Sequence, residues 1–369
     1  MAEDVTLITD LLEARLLAPE PHRATRVGVV VPTSGTLGML APAALNCASL
    51  AAAELNAAGG ILGRPVELVV IDGGRSPAAV AADVADLVHV GAVAAVVGTH
   101  ASDVRIATVR AIDAAVPYVY TPPYEGGAHK PGLYLLGETP ARQLRPALDW
   151  LVDRRRARRW YLLGNDYVWP RRLHAAARGY LRRVGAEVVS ERYVPRGVTD
   201  PDPLVQAVGT ARVDAVLLTL VGSDLVTFNR AFAASRWSAA VLRLCGALDE
   251  NGLVGAGGDD SGELYAAMGY FAAVATEPSV AFAERYTARF GPHAPVLNGY
   301  GEGCYGGVRL LAALADRAGT LGTPALDAVA DGTTVAGGRG EFVLRNRHAD
   351  QSVYLARADG LDFDVIAEF

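Results

Sequence analysis

Residues 66–120 read VELVVIDGGRSPAAVAADVADLVHVGAVAAVVGTHASDVRIATVRAIDAAVPYVY, and this stretch decides the fold class. Short runs rich in β-branched residues alternate in it with longer alanine-rich segments whose apolar residues recur at helical spacing. Because the strand-like runs are apolar on both faces and helical segments separate them, the sequence predicts a parallel sheet covered by helices on both sides. The predicted elements are strands at Val66–Ile71, Val93–Val97 and Tyr118–Tyr120 and helices at Pro77–Val90 and Ser102–Ala115.

The same alternation extends in both directions along the chain. It begins at Val27–Val31 and restarts at Trp160–Leu163, whereas Gly340–Leu344 and Gln351–Ala358 predict a short antiparallel pair. The sequence therefore predicts an α/β protein of two doubly wound parallel-sheet lobes with a ligand cleft between them. The predicted division is residues 1–24 as an N-terminal helical extension, 25–138 plus 272–335 as lobe 1, and 139–271 plus 336–369 as lobe 2.

Composition excludes several classes of protein. The 369 residues are 51% hydrophobic and carry a net charge of −6, which excludes intrinsic disorder and argues against a nucleic-acid surface. The apolar runs are shorter than the ~20 residues that a membrane-spanning helix needs. The only lysine, Lys130, reflects base composition rather than function. The chain starts Met1-Ala2-Glu3-Asp4 without an export signal, which predicts a cytoplasmic location.

Motifs for catalysis, metal binding and phosphate binding are missing from the sequence. It has no G-x-S-x-G elbow and no Walker lysine after the first strand. The seven histidines never form an i, i+4 pair, and the three cysteines form no metal-ligand pair. The basic run RRRARR at residues 154–159 is typical of a helix end facing solvent. The sequence therefore predicts a protein that is not an enzyme and holds no metal or cofactor.

Small hydroxyl and aromatic side chains concentrate in the turns after the predicted strands, where open α/β sheets bind ligands. Ser102 begins a helix, so its hydroxyl and the free N–H groups beside it can receive a carbonyl or carboxylate oxygen. The alternatives are an ordinary cap for Ser102, lobe packing for the aromatic residues, and a helix-start motif for Asp249 and Glu250. The predicted ligand-binding residues are His100, Ser102, Tyr120, Thr121, Pro123, Tyr167, Trp169, Ser223, Asp249 and Glu250.

Several segments resemble a known family. Residues 54–65, ELNAAGGILGRP, are similar to the signature of type I periplasmic-binding-protein folds, which receptors for branched-chain amino acids, urea and short amides share. Sharper matches resemble AmiC-type amide sensors, the negative regulators of aliphatic amidase expression, and the resemblance runs from residue 26 to about residue 358. These matches are PPYEG at 122–126, GNDYVWP at 164–170, YGEGCY at 300–305, GRG at 338–340 and RNRH at 345–348.

The resemblance implies roles for individual residues. Ser102 would hydrogen-bond a short amide, Tyr167 would line the pocket and hydrogen-bond the same amide, and Tyr120 would close the pocket. His100 and Trp169 stand where the family pattern has tyrosines, and the hydroxyl of the family's threonine would be shifted to Thr121 or lost. A zwitterionic ligand would instead place its ammonium on Asp249 or Glu250 and its carboxylate at the turn of Ser102.

Two functions follow as expectations. The first is a non-enzymatic sensor that binds a short aliphatic amide or a similar small polar ligand, closes its lobes, and regulates expression through an antiterminator-type protein partner. The alternative is a solute-binding protein of an ABC importer for urea, short amides or branched-chain amino acids. A homo-oligomer without direct nucleic-acid or membrane contact is expected. The helix predicted over residues 4–17, with Asp4 as its cap, either packs on the body or docks a partner.

Overall fold

The computed structural model describes residues 5–18, 23–127 and 130–369, and the chain within it forms two compact units. The first unit contains residues 1–122, 127–137 and 275–351, and the second contains residues 123–126, 138–274 and 352–369. The chain therefore passes from one unit to the other several times.

The helices and strands follow the predicted alternation. The first part of unit 1 contains β1 (Leu7–Ile8), α1 (Leu11–Leu16), β2 (Thr25–Val31), α2 (Ala41–Ala57), β3 (Val66–Asp72), α3 (Pro77–His89), β4 (Ala95–Gly98), α4 (Ser102–Ile112), β5 (Tyr118–Tyr120) and β6 (Leu133–Leu135). Unit 2 contains α5 (Pro140–Arg155), β7 (Arg159–Asn165), α6 (Val168–Arg183), β8 (Glu187–Val194), α7 (Asp202–Thr210), β9 (Ala215–Thr219), α8 (Ser223–Ala233), β10 (Leu242–Cys245), α9 (Glu250–Ala256) and β11 (Leu264–Met268). The chain then adds α10 (Glu277–Phe290), α11 (Gly299–Ala318), α12 (Thr323–Val329), β12 (Thr334–Gly337), β13 (Gly340–Arg345) and β14 (His348–Asp350) to unit 1, and β15 (Tyr354–Asp359) and β16 (Asp362–Glu368) to unit 2.

Each unit is built on one twisted sheet whose central strands are parallel, as the sequence predicted. The strand order is β1-β3-β2-β4-β5-β6-β14-β13-β12 in unit 1 and β16-β15-β11-β10-β9-β7-β8 in unit 2. All residues of β2, β4, β9 and β10 are buried, because helices cover both faces of a parallel sheet. In both units the chain builds outward in one direction and then in the other, so each sheet has a point at which the winding reverses.

The end of the chain differs from the prediction. Gly340–Leu344 and Gln351–Ala358 do not pair with each other: β13 pairs with β12 and β14, whereas β15 pairs with β11 and β16. Asn346 and Arg347, both at positive φ, form the two-residue turn that folds β14 back on β13. Residues 336–351 therefore lie in unit 1, whereas the sequence placed them in lobe 2.

The N-terminal segment also differs from the single helix that was predicted over residues 4–17. Leu7 and Ile8 form an edge strand parallel to β3, and α1 begins after Asp10, whose carboxylate accepts a hydrogen bond from the Leu12 N–H at 2.8 Å. Asp4, the predicted cap, lies outside the described residues. Strand pairing at the edge of β3 competes successfully with helix formation here, because an isolated helix shorter than about 15 residues, such as the one predicted over residues 4–17, is marginal in water.

Helix α2 is buried in unit 1. Among the described residues, only the segment Gly38–Ala57 is long and apolar enough to cross a membrane by length and composition. However, 61% of its most apolar part is buried inside the structure. Helix α11 packs against α2 at Gly301, where a Cβ atom would lie 2.9 Å from Cys47 Sγ. On another side of α11, a Cβ on Gly307 would lie 2.8 Å from Thr121 Cγ2 and 2.9 Å from Val97 Cγ1. The glycines thus allow α11 to pack closely against α2 and the sheet.

We expect Gly307→Ala to destabilise the protein by about 1–3 kcal/mol, because the new methyl group would overlap the branched side chains of Thr121 and Val97, both of which are buried. Gly179→Ala is the matched control on α6, since a Cβ atom added there would have no other atom within 4 Å. That control should gain about 0.5–1 kcal/mol from helix propensity. Denaturant unfolding of both variants measures the difference, and a Gly307→Ala protein as stable as the control would contradict the packing argument.

Candidate functional site

Four of the ten predicted binding residues belong to unit 1 and lie in or beside the turns after β4 and β5: His100, Ser102, Tyr120 and Thr121. The winding of this sheet reverses between β2 and β4, so the turn from Thr99 to Ala101 lies at the point where open α/β sheets bind ligands. Ser102 is the first residue of the eleven-residue helix α4 and is 2% exposed. The N-cap is Ala101, whose side chain offers no hydrogen bond, so Ser102 is not an ordinary capping residue. Its hydroxyl and the neighbouring N–H groups form the start of a helix suited to an anionic oxygen.

The ring and the carbonyl group of His100 make hydrogen bonds within unit 1. Its Nδ1 lies 3.0 Å from the Ala101 carbonyl oxygen and its Nε2 lies 2.7 Å from the Tyr118 hydroxyl, while the Tyr120 hydroxyl donates to the His100 carbonyl at 2.6 Å. Burial lowers the pKa of His100 to about 4, so the ring is neutral at neutral pH. Nδ1 therefore donates to the carbonyl, and Nε2 accepts from Tyr118. These bonds hold the turn that precedes Ser102.

The Thr121 hydroxyl also makes its hydrogen bonds within unit 1. Its hydroxyl lies 2.6 Å from that of Thr99 and 3.3 Å from the Gly98 carbonyl oxygen. The pair ties the end of β5 to the end of β4. Pro123 is buried and opens the short segment Pro123–Gly126 that belongs to unit 2.

In unit 2, Tyr167 and Trp169 follow β7, next to the reversal between β7 and β9. Tyr167 occupies the N-cap position of α6, and the Arg196 guanidinium lies 4.8 Å from the centre of its ring. Trp169 is 3% exposed, with its ring centre 6.5 Å from that of Tyr167. Its indole Nε1 is buried and has no hydrogen-bond partner among the described residues. A buried N–H donor without a partner is rare in proteins, and this one is available to an acceptor.

Asp224, which sequence reasoning missed, organises the next turn. The predicted residue Ser223 begins α8 and is exposed, whereas its neighbour Asp224 is buried. The Asp224 carboxylate accepts hydrogen bonds from Asn165 Nδ2 at 2.7 Å and from the N–H groups of Gly197 and Val198 at 3.0 and 2.8 Å. It thereby fixes the loop that carries Arg196 beside Tyr167. An acidic residue in the first turn of a helix is so common that the sequence offered no signal for this role.

The turn after β10 contains both predicted carboxylates. Asp249 is the N-cap of α9 and accepts a hydrogen bond from the Gly252 N–H at 2.8 Å, so the helix-start interpretation of this residue is confirmed. Glu250 is 5% exposed. Its Oε1 accepts from the Ala272 N–H at 2.6 Å, whereas its buried Oε2 has no hydrogen-bond partner in the part of the chain that the structure describes. Burial raises the pKa of Glu250 to about 8, with the charge on Asp249 adding to the effect.

The turns of the two units carry groups that can recognise a ligand. Within residues 5–18, 23–127 and 130–369, no group of three or more His, Cys, Asp or Glu side chains could hold a metal ion. What the turns provide is a helix start, buried aromatic rings, one open indole N–H and one open carboxylate oxygen. Polar groups of these kinds, set among apolar side chains, are typical of small-molecule binding sites.

Residues 24–362 match the model of a family described as periplasmic binding proteins. The chain belongs to the periplasmic binding protein family. The prediction of the type I fold is thereby confirmed, and the similar solved structures agree with it. The narrower resemblance to amide sensors finds no support in these comparisons.

Solved structures of similar fold cover almost the whole chain. A periplasmic binding protein from Burkholderia mallei has a TM-score of 0.83 and 16% identity, covering 95% of this chain and 95% of its own. A solute-binding protein of an ABC transporter from R. palustris, in complex with benzoate, has a TM-score of 0.81 and 17% identity, covering 94% and 96%. The branched-chain amino acid transporter substrate-binding protein LivJ from Streptococcus pneumoniae, in complex with isoleucine, has a TM-score of 0.80 and 20% identity, covering 94% and 98%. At these identities the likeness shows a common fold.

The predicted cytoplasmic location is wrong. The matching family is that of periplasmic binding proteins, and the similar structures from R. palustris and S. pneumoniae are binding proteins of transporters. These findings point to a location outside the cytoplasm. The prediction rested on the first four residues of the sequence, which carry less weight than a family match over residues 24–362.

The raised pKa of Glu250 predicts how the stability of the protein depends on pH. The pKa of Glu250 is about 8 in the folded protein, whereas its ordinary value, which applies to the unfolded chain, is 4.5. Between these two pH values the folded state therefore holds a proton that the unfolded state has released. Stability contributed by this group is therefore present below about pH 4.5 and is lost as pH rises toward 8, by at most ~1.4 kcal/mol per pH unit. Glu250→Gln removes that loss.

Urea unfolding at several pH values measures the effect. We expect the variant to become more stable relative to the native protein as pH rises from about 5 to about 8. Glu284→Gln, at an exposed position on α10, is the control and should follow the native protein throughout. Parallel stability curves for the native and Glu250→Gln proteins would show that Glu250 is already ionised at low pH.

Proposed function

We propose that this protein is a solute-binding protein of an ABC importer and that its solute is a small α-amino acid. The observation that carries the importer assignment is the family match over residues 24–362. Binding and release are the whole of its action, which agrees with a sequence that contains no catalytic constellation. This function takes the place of gene regulation by a short amide, for which the comparisons give no support.

The start of α4 supports a carboxylate-bearing solute. The first N–H groups of this helix and the buried Ser102 hydroxyl are donors, and a helix start of this length favours negative charge. The R. palustris and S. pneumoniae proteins described above were solved with benzoate and isoleucine, both of which carry a carboxylate. We assign the carboxylate of the solute to Ser102 and its neighbouring N–H groups.

Glu250 favours an amino acid over an aromatic acid. Its Oε2 is buried without a hydrogen-bond partner among the described residues, and burial raises the pKa of the carboxyl group, with no cation among the groups that lower it. An ammonium group would provide that cation and return the carboxyl to its ionised form. Benzoate offers no positive group, so it would leave Glu250 as it is. Trp169, also buried, supplies apolar surface for a side chain and an N–H donor.

Calorimetric titration of the purified protein with isoleucine, benzoate, acetamide and urea tests the proposal. We expect saturable binding of isoleucine or another aliphatic amino acid. Ser102→Ala should weaken it about threefold to tenfold, and Glu250→Gln about tenfold or more, because the second variant loses a charged hydrogen bond. Glu284→Gln is the control for the loss of a carboxylate and should bind as the native protein does.

The outcomes separate the candidate solutes. Binding of benzoate that is unchanged in Glu250→Gln would contradict the amino-acid assignment but keep the importer function. Saturable binding of acetamide or urea without binding of any carboxylate would contradict the roles proposed for both Ser102 and Glu250.

A further inference from the structure

Unit 1 contains a cavity of about 280 Å³ that no residue of the proposed solute site lines. It is formed by one face of α4, by Gly127 and Lys130, and by the first residue of β6. At this volume the cavity is near the lower end of the range for small-molecule sites. The lining residues are Arg105, Ile106, Val109, Arg110, Gly127, Lys130 and Leu133.

The cavity is positively charged. Of the seven lining residues that the structure describes, three are cationic and none is acidic. Arg110 and Lys130 are exposed, and neither makes an ion pair with any residue that the structure describes. Arg105 is 3% exposed, and its guanidinium lies 5.1 Å from the centre of the Tyr120 ring. A concave surface with a single sign of charge raises the local concentration of the opposite ion.

The remaining lining is apolar. Ile106 and Val109 are half-buried on α4, and Leu133 is buried at the start of β6. A bare inorganic anion would leave the exposed parts of Ile106 and Val109 in water, whereas a ligand with a short apolar body would cover them. The combination of exposed cations and an apolar wall therefore matches an anion that is itself amphipathic.

We propose that this cavity is a second binding site, which takes a small amphipathic carboxylate such as an aromatic acid. The carboxylate lies against Arg110 and Lys130, with Arg105 adding positive potential from the buried side, and the apolar body packs on Ile106, Val109 and Leu133. The site is separate from the solute site, because the two share no residue. It begins one helical turn beyond Ser102 on α4.

The chain offers a single reporter for this site. Lys130 is the only lysine among the 34 Lys and Arg residues of the sequence. Reductive methylation with isotope-labelled formaldehyde keeps its positive charge and gives one dimethyl-lysine NMR signal beside that of the α-amine. We would titrate the methylated protein with benzoate, with benzamide as the neutral molecule of the same shape, and with acetate as the anion without a ring.

Benzoate should shift the Lys130 signal saturably, with a dissociation constant on the order of 1 mM, as a ligand of this size with partly exposed ion pairs allows. Acetate should bind about tenfold more weakly, and benzamide should leave the signal in place. Arg110→Gln should weaken benzoate about twofold to fivefold. Arg64→Gln, which removes an exposed cation of the same unit outside the cavity, is the matched control and should have no effect.

Three results would overturn the second site. The first is an equal shift with benzamide, and the second is a benzoate shift that is the same in Arg110→Gln as in the native protein. The third is loss of the Lys130 shift in Ser102→Ala, because the reporter would then be sensing the solute site alone. A Lys130 titration that persists in Ser102→Ala, even if no amino acid binds anywhere, supports the second site independently of the proposed transport function.

Discussion

The turns that follow the central strands depend on one constraint: every buried backbone N–H and carbonyl group in them needs a hydrogen-bond partner. The chain meets it with buried polar side chains. In unit 1 the Tyr120 hydroxyl donates a hydrogen bond to the His100 carbonyl. In unit 2 the Asp224 carboxylate accepts hydrogen bonds from two backbone N–H groups, and the Asp249 carboxylate accepts one. The position of each turn, and of whatever it offers to a ligand, follows from these bonds.

This constraint separates residues whose polar atoms hold the turns in place from residues that keep an open polar atom. Both ring nitrogens of His100 and the hydroxyl of Thr121 are engaged within their own unit, so these residues position the turns. Trp169 Nε1 and Glu250 Oε2 are buried and lack partners among the described residues, which costs stability unless something binds them. That cost distinguishes them from the structural polar groups around them.

Helix α4 connects several of these features. Its start bears Ser102, its second turn bears Arg105 beneath the Tyr120 ring, and Arg110 stands exposed near its end. One helix therefore presents a buried N-terminus suited to an anionic oxygen and, farther along, a cationic face beside apolar side chains. Because an α-helix is rigid over three turns, the two features keep a fixed distance from each other.

The sequence by itself determined the α/β class, the parallel central strands of both units and the turns in which the candidate site lies, because hydrophobic periodicity and strand-end position are local properties. It could not determine strand partners at the two ends of the chain. Leu7 and Ile8 became an edge strand, and β13 paired with β12 and β14, since pairing depends on which edges the folded sheet leaves open. Nor could it separate Asp224 from other acidic residues or show that Glu250 keeps an open oxygen. Those facts depend on burial and on distant hydrogen-bond partners, which only the tertiary structure brings together.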